Sequence, residues 1–448
     1  MGANHMAGVA AAEGVRFRMR EHEFSVEIFQ NEYMASGGHE VNAIATVTCA
    51  EDSGYAGALP ASAAEIIIVD CSGSMLQPRS KIFQAREATA AAIEAIRDGV
   101  AFAVIAGTGH ASVVYPAEPS MAIADSRTKA AAKLAAGNLH AGGGTAIGSW
   151  LLLARQSFLT RSDDLRHAIL LTDGQNGERT RTLRQAIDQC IGVFSCDCRG
   201  VGTDWKIDEL REISSKLLGT VDIVPEASGL AADFEAMMTT SMAKEVADVR
   251  LRVWLPNHAT VRFVKQVAPT VEDLTGRRRQ VDLQVGDYPT GSWAANESRD
   301  YHICVDVKSA TIGQEMLAAR ITLTQDSEFG PRTFGKGLIR ATWTDDEEMS
   351  TQINRHVAHY TGQAELAQAI QDGLEARKAG KEDRAAARLG RAVALAHESG
   401  NEEAARLLAN VADVIDPATG TVRLKTTIAD ADEMALNTRS TKTVRARP

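Results

Sequence analysis

Five side chains carry the chemistry this sequence offers a ligand. The run EIIIVDCSGSM, residues 65–75, ends an apolar stretch with Asp70, Ser72 and Ser74. HAGGGTAIGSW puts Thr145 after three glycines, and HAILLTDGQN closes a second apolar run with Asp173 and a glycine turn. Carboxylates and hydroxyls without His or Cys are hard ligands, suited to Mg²⁺, Mn²⁺ or Ca²⁺ rather than zinc. Two aspartates balance a divalent cation while hydroxyls and water add no charge, so an ion held this way still attracts a further anion. Oxygen-bearing residues on one short loop also suit ordinary helix capping, because Asp and Ser favour N-caps. Asp70, Ser72 and Ser74 alone leave both readings open.

The elements around them favour a site. Four apolar residues bounded by turn-formers read as a strand covered on both faces. From 63 to 246 such runs (65–69, 100–106, 111–115, 167–172, 193–199, 220–224) alternate with helical stretches (80–97, 126–136, 146–158, 180–191, 206–217, 229–245). That alternation predicts a doubly wound, mostly parallel sheet, with 100–106 and 111–115 as an antiparallel hairpin at its edge. All five oxygen residues then fall at the C-terminal strand ends, where open α/β sheets bind ligands.

In this order on alternating strands and helices, the D-x-S-x-S, glycine-preceded T and T-D-G motifs resemble a von Willebrand factor A-type domain with a metal-ion-dependent adhesion site. The resemblance covers residues 63–246, under half the chain. It implies a Rossmann-like fold in which Ser72 and Ser74 bind the metal directly. Thr145 coordinates it in the ligand-competent state, Asp70 and Asp173 act directly or through water, and a partner's Asp or Glu fills the sixth position. The flanks resemble cytoplasmic bacterial members of the family, especially actinobacterial ones associated with Ser/Thr kinases, phosphatases and forkhead-associated domain proteins. The implied function is a non-enzymatic, metal-dependent protein-binding module in a signalling or stress system. The alternatives are an adaptor of an AAA+ ATPase and a phosphoryl-transfer enzyme of haloacid dehalogenase type. The enzyme would need a second aspartate where this chain has Ser72.

The flanking segments read differently. One-sided alternation at 23–30, 39–49, 248–255, 260–267, 279–285, 300–308, 316–324 and 334–343 marks antiparallel strands. Two N-terminal strands do not make a stable unit alone. The expected architecture is therefore a discontinuous β-sandwich, 20–60 plus 247–344, interrupted by the α/β domain. Ala-rich, acid-started and glycine-stopped segments over 345–415 predict a helical bundle, part of which resembles a single tetratricopeptide-type hairpin. Residues 416–448 are polar and are expected to be disordered. Within them, Thr441 and Thr443 among basic residues are candidate phosphosites for a forkhead-associated partner.

Acidic residues outnumber basic ones 58 to 48, for a net charge of −10, so no global field draws the protein to nucleic acid or anionic lipid. The sequence has no apolar run of the ~18 residues that cross a bilayer. The N-terminal stretch lacks a leader pattern, and the six cysteines form no disulfide framework. A cytoplasmic protein is the expectation. Cys190, Cys196 and Cys198 read as buried structural residues, and His110, His140 and His167 as packed or surface ones. No Gly-x-Ser-x-Gly elbow accompanies Ser72 or Ser74.

Overall fold

In the computed structural model, which describes residues 23–50, 62–117, 120–162, 165–326 and 330–446, alternate residues of the strand Ala63–Asp70 enter two different cores. Ile66 and Ile68 join Trp150, Leu183 and Ile213 on one face; Ile67 and Val69 join Ile82, Ala132 and Phe234 on the other. All eight residues of the strand are buried, which explains its unbroken apolar run. The strand lies inside a seven-stranded sheet in the order Val221–Val224, Ser195–Val201, Leu165–Thr172, Ala63–Asp70, Ala101–Gly107, Ala111–Tyr115, with Ala122–Ile123 also on Ala101–Gly107. The first five run parallel, and Ala111–Tyr115 turns back as the antiparallel edge. Helices Ile147–Phe158, Thr180–Cys190 and Ile207–Lys216 cover one face. Ser80–Ala95, Ser126–Gly137 and Leu230–Met242 cover the other.

Two further sheets share one core. The first has the order Phe24–Gln30, Glu40–Cys49, Ser298–Val307, Ala259–Ala268, Glu272–Asp273. The second runs Arg279–Gln280, Val285–Ala294, Lys244–Trp254, Glu315–Gln325, Arg332–Thr344, Tyr33–Ala35. Val47 and Tyr301 of the first pack with Leu251, Ile321 and Trp343 of the second. Both sheets draw strands from either side of the α/β domain. The strand expected at 279–285 is corrected: only Arg279–Gln280 pairs, and the long strand is Val285–Ala294. Val281 and Leu283 alternate as in a strand but are exposed on a turn, where Asp282 Oδ1 accepts from Gln284 N and Val285 N. Pro289 lies within that long strand. It is accommodated next to an edge covered only by the two residues of Arg279–Gln280.

Helices Arg355–Lys378, Glu382–Ser399 and Glu402–Val411 follow. Gly400, with φ 65°, stops the second, and the Asn401 side chain caps the third by accepting from Ala404 N. The expected disorder beyond 416 is not what the structure has. A hairpin joins Ala412–Asp416 to Thr421–Leu424, and the helix Asp430–Arg439 packs on the edge strand Val221–Val224 with Leu436 fully buried. The segment is polar, but Arg439 and Arg445 pair with Asp222 and Asp300, so its charges are matched rather than left in solvent. No helix among the described residues is long and apolar enough to cross a membrane.

Candidate functional site

Three loops at the C-terminal edge of the α/β sheet are stitched together through their backbones. Cys71 N donates to Gly107 O at 2.7 Å, Gly142 N to Cys71 O at 2.7 Å and Gly73 N to Gly143 O at 3.0 Å. Gly143 needs its φ of 82°, a conformation that a side chain disfavours. A fourth loop joins through Gly177 N, which donates to Thr145 O at 2.7 Å. The side chains of Asn176 and Glu178 accept from Ile147 N and Gly148 N, fixing the start of the helix behind Thr145.

This frame brings the sequence-predicted residues to one place. Ser72 N donates to Asp70 Oδ1 at 2.7 Å, the Ser72 and Ser74 hydroxyls lie 2.9 Å apart, and Ser74 Oγ donates to Asp173 Oδ1 at 2.6 Å. Thr145 makes no side-chain hydrogen bond to a described residue, but its hydroxyl flanks Gly174. A Cβ added at Gly174 would lie 3.1 Å from Ser74 Oγ and 3.8 Å from Thr145 Oγ1. The glycine of T-D-G thus leaves room for the Ser74 hydroxyl to reach Asp173 with the Thr145 hydroxyl beside it. Asp70 and Asp173 are fully buried and Ser72 is buried with them, whereas Thr145 is half-buried and Ser74 is exposed, so the cup opens to solvent on the side of Ser74 and Thr145.

Two partners lay outside the sequence reading. Thr172 Oγ1 donates to Asp70 Oδ2 at 2.6 Å, and Lys81 Nζ donates to Asp173 Oδ2 at 2.8 Å while lying 3.8 Å from Asp204. Thr172 was legible as part of T-D-G; nothing local marks Lys81. Burial pushes the Asp70 carboxyl up, against the Thr172 and Ser72 hydrogen bonds that pull it down. The neighbouring Cys71 thiol is pushed up to about 12, by burial and then by Asp70, and is not a thiolate ligand at neutral pH.

These residues suit a hard cation. Two buried carboxylates stand beside one another, and Lys81 pairs with one of them, Asp173. Among the described residues no group of three or more His, Cys, Asp and Glu is arranged to hold a metal. The oxygen groups that these loops bring together are the carboxylates of Asp70 and Asp173 and the hydroxyls of Ser72, Ser74 and Thr145. Cys190, Cys196 and Cys198 are buried and free. His110 and His140 are exposed, and His167 lies at the opposite end of the strands, between Glu65 and Asp197.

Family models match in two places: a von Willebrand factor type A domain over residues 64–223 and a von Willebrand factor type A C-terminal domain over 394–440. A solved structure, von Willebrand factor type A from Catenulispora acidiphila, is 50% identical, covers 96% of this chain and 98% of its own, and superposes with a TM-score of 0.90. The chain belongs to the von Willebrand factor type A family. The first match contains all five cup residues of this von Willebrand factor A chain, and the second crosses the boundary drawn at 415 and includes the helix Asp430–Arg439. Two remoter structures share the fold. The ArnB paralog VWA2 from Sulfolobus acidocaldarius is 13% identical, over 94% of this chain and 98% of its own, at TM-score 0.55. The human COPII-coat protein Sec24c is 8% identical, over 89% and 59%, at 0.51. No curated protein matches the sequence.

Proposed function

We propose that this von Willebrand factor A protein is a non-enzymatic binding module that holds a divalent cation, Mg²⁺ or else Mn²⁺ or Ca²⁺, in the cup of Asp70, Ser72, Ser74, Thr145 and Asp173. When bound, the ion supplies a Lewis-acidic point for an Asp or Glu of a partner protein. The observation that carries this reading is the pairing of two fully buried carboxylates with the exposed Ser74 and the half-buried Thr145 on one sheet edge. The chain's own residues do the rest. Ser72 N and Thr172 orient Asp70, the two serines bridge toward Asp173, and the stitched glycine loops keep the cup in register. Ser72 and Ser74 bond to each other and to carboxylates rather than to a histidine, which speaks for ligands and against nucleophiles.

The domain reading goes with it: a guest α/β domain, 63–246, carried by a sandwich of 20–60 and 247–344 and followed by a helical unit. In this reading the protein works in the cytoplasm, in a kinase- or phosphatase-linked system. A phosphothreonine contact to a forkhead-associated protein through Thr441 or Thr443 would first require the tail to lift, since Thr443 Oγ1 donates to Val267 O at 2.6 Å. The test is a pull-down from the native host with and without EDTA, paired with calorimetry of Mg²⁺ and Mn²⁺. Chelator-sensitive capture of a protein that loses binding when one carboxylate becomes an amide supports the reading. Full capture in EDTA, with no heat of metal binding, refutes it.

A further inference from the structure

The chain end from Arg439 to Ala446 lies in a cleft shared by three parts of the molecule, and each part contributes a polar group. On the edge strand Val221–Val224, Asp222 receives Arg439 Nε at 2.8 Å and Lys442 Nζ at 3.1 Å. On the strand Ser298–Val307, Asp300 receives Arg445 through Nε and Nη2, each at 3.0 Å. Between these anchors the tail makes one isolated antiparallel bridge, Thr270 with Lys442: Val271 N donates to Thr441 O at 2.7 Å and Thr443 N to Pro269 O at 3.0 Å. From the helix Arg355–Lys378, His359 Nε2 bonds Val444 O at 2.7 Å, and the Tyr360 hydroxyl accepts from Ala446 N at 3.3 Å.

The two halves of this contact are unequal. The acceptor half is buried and built: the Asp300 side chain is 3% exposed and also accepts from Thr46 and Tyr360, and the Asp222 side chain is 15% exposed. The tail half stays wet, with Lys442 and Arg445 side chains 44% and 46% exposed and Val444 facing solvent. The attachment is by charge and by one backbone bridge, Thr270 with Lys442. Basic residues at every third position, 439, 442 and 445, match the two acids, and the backbone between them gives direction.

We propose that this cleft is a binding site for an extended basic segment of a partner protein, with cationic side chains spaced three residues apart, and that the chain's own tail occupies it in cis as a tethered competitor. The site is independent of the metal cup. The high effective concentration of a tethered segment keeps the cleft closed until the tail is displaced or its charges are altered.

The probe is a fluorescent peptide with the sequence of Asn437–Ala446, followed by anisotropy against the full-length chain and against a full-length Lys442→Glu, Arg445→Glu variant with its tail loosened. The variant should bind the peptide at least tenfold tighter than the unaltered chain, and less tightly as salt rises. A scrambled peptide of equal charge should bind at least tenfold more weakly than the native one. Equal affinity of the two chains, or of the two peptides, overturns the proposal. Should the variant fail to melt cooperatively, hydrogen exchange on the unaltered chain decides. Excess native peptide should speed exchange at the Thr443 amide by displacing the tail, and an unchanged rate overturns the proposal.

Discussion

Lys81 Nζ donates to Asp173 Oδ2 at 2.8 Å, and solvent does not reach that carboxylate. The ammonium comes from the first turn of the helix Ser80–Ala95, so this helix and the T-D-G loop are joined at the cup. A cation entering the cup shares Asp173 with a tethered positive charge, and the two repel. Lys81→Met, which keeps the length and drops the charge, should therefore lower the Mn²⁺ dissociation constant at least tenfold, ~1.4 kcal/mol. In EDTA the same variant should melt earlier, because removing one partner of a buried ion pair costs about 3–5 kcal/mol. Calorimetry and thermal melts measure both; an unchanged Mn²⁺ affinity would remove Lys81 from the electrostatics of the cup.

In Asp70→Asn the amide oxygen still accepts from Ser72 N, and the Thr172 hydroxyl, which donates to Oδ2 in the unaltered chain, can turn to accept from the amide nitrogen. Asp70→Asn should therefore fold cooperatively and yet lose metal binding. For the unaltered chain, Mn²⁺ at a hundred times its dissociation constant should add about 2.7 kcal/mol to folding stability. The variant should show no difference between Mn²⁺ and EDTA. Equal stabilisation of both proteins would mean that the ion binds elsewhere.

The cup was legible because its signals are local: Asp70, Ser72 and Ser74 share one turn, and each of Thr145 and Asp173 sits in its own glycine-marked loop. Lys81 was not, since its partner is 92 residues away and a lysine in a first helical turn looks like any surface lysine. The same holds for the tail. Its composition is that of a disordered segment, and the aspartates that order it lie 217 and 145 residues from Arg439 and Arg445. The alternating pattern at Val281 and Leu283 misled for the opposite reason. It is a strand signal in sequence, but Leu283 is 98% exposed on a turn.

At the other end of the α/β strands, His167 sits between Glu65, 2.8 Å from Nδ1, and Asp197, 3.0 Å from Nε2. Burial alone would lower its pKa, but the two carboxylates outweigh it and raise the imidazole from 6.5 to about 10. A raised folded-state pKa contributes stability that is fully present below pH 6.5 and is lost as pH rises from there through about 10. At ~1.4 kcal/mol per pH unit the contribution is at most about 5 kcal/mol. Urea melts at pH 6, 8 and 9.5 should show the chain weakening steadily. His167→Gln should start weaker at pH 6 and lose little more on the way up; a parallel decline in both proteins would show that another group titrates.

Glu40–Cys49 is paired on both sides, with Phe24–Gln30 and with Ser298–Val307, and Val41, Ala43, Ala45 and Val47 enter the core that the two antiparallel sheets share. A strand in that position has no substitute from elsewhere in the chain. Its removal leaves Ser298–Val307 with an unpaired edge and opens the shared core. Deleting residues 1–60 should therefore abolish cooperative unfolding of the sheets while the α/β domain survives, because among the described residues the sheet of that domain and the two cores on its faces draw nothing from 23–50. Pulsed hydrogen exchange through a melt separates the two: the amides of Leu251 and Val253 in the sheets report on one part, and those of Ile67 and Ile68 in the α/β strand on the other. The deleted protein should lose the first transition and keep the second. A single cooperative melt seen by both probes would show that segment 247–344 folds without its N-terminal strands, and the discontinuous arrangement would then be a matter of packing and not of folding.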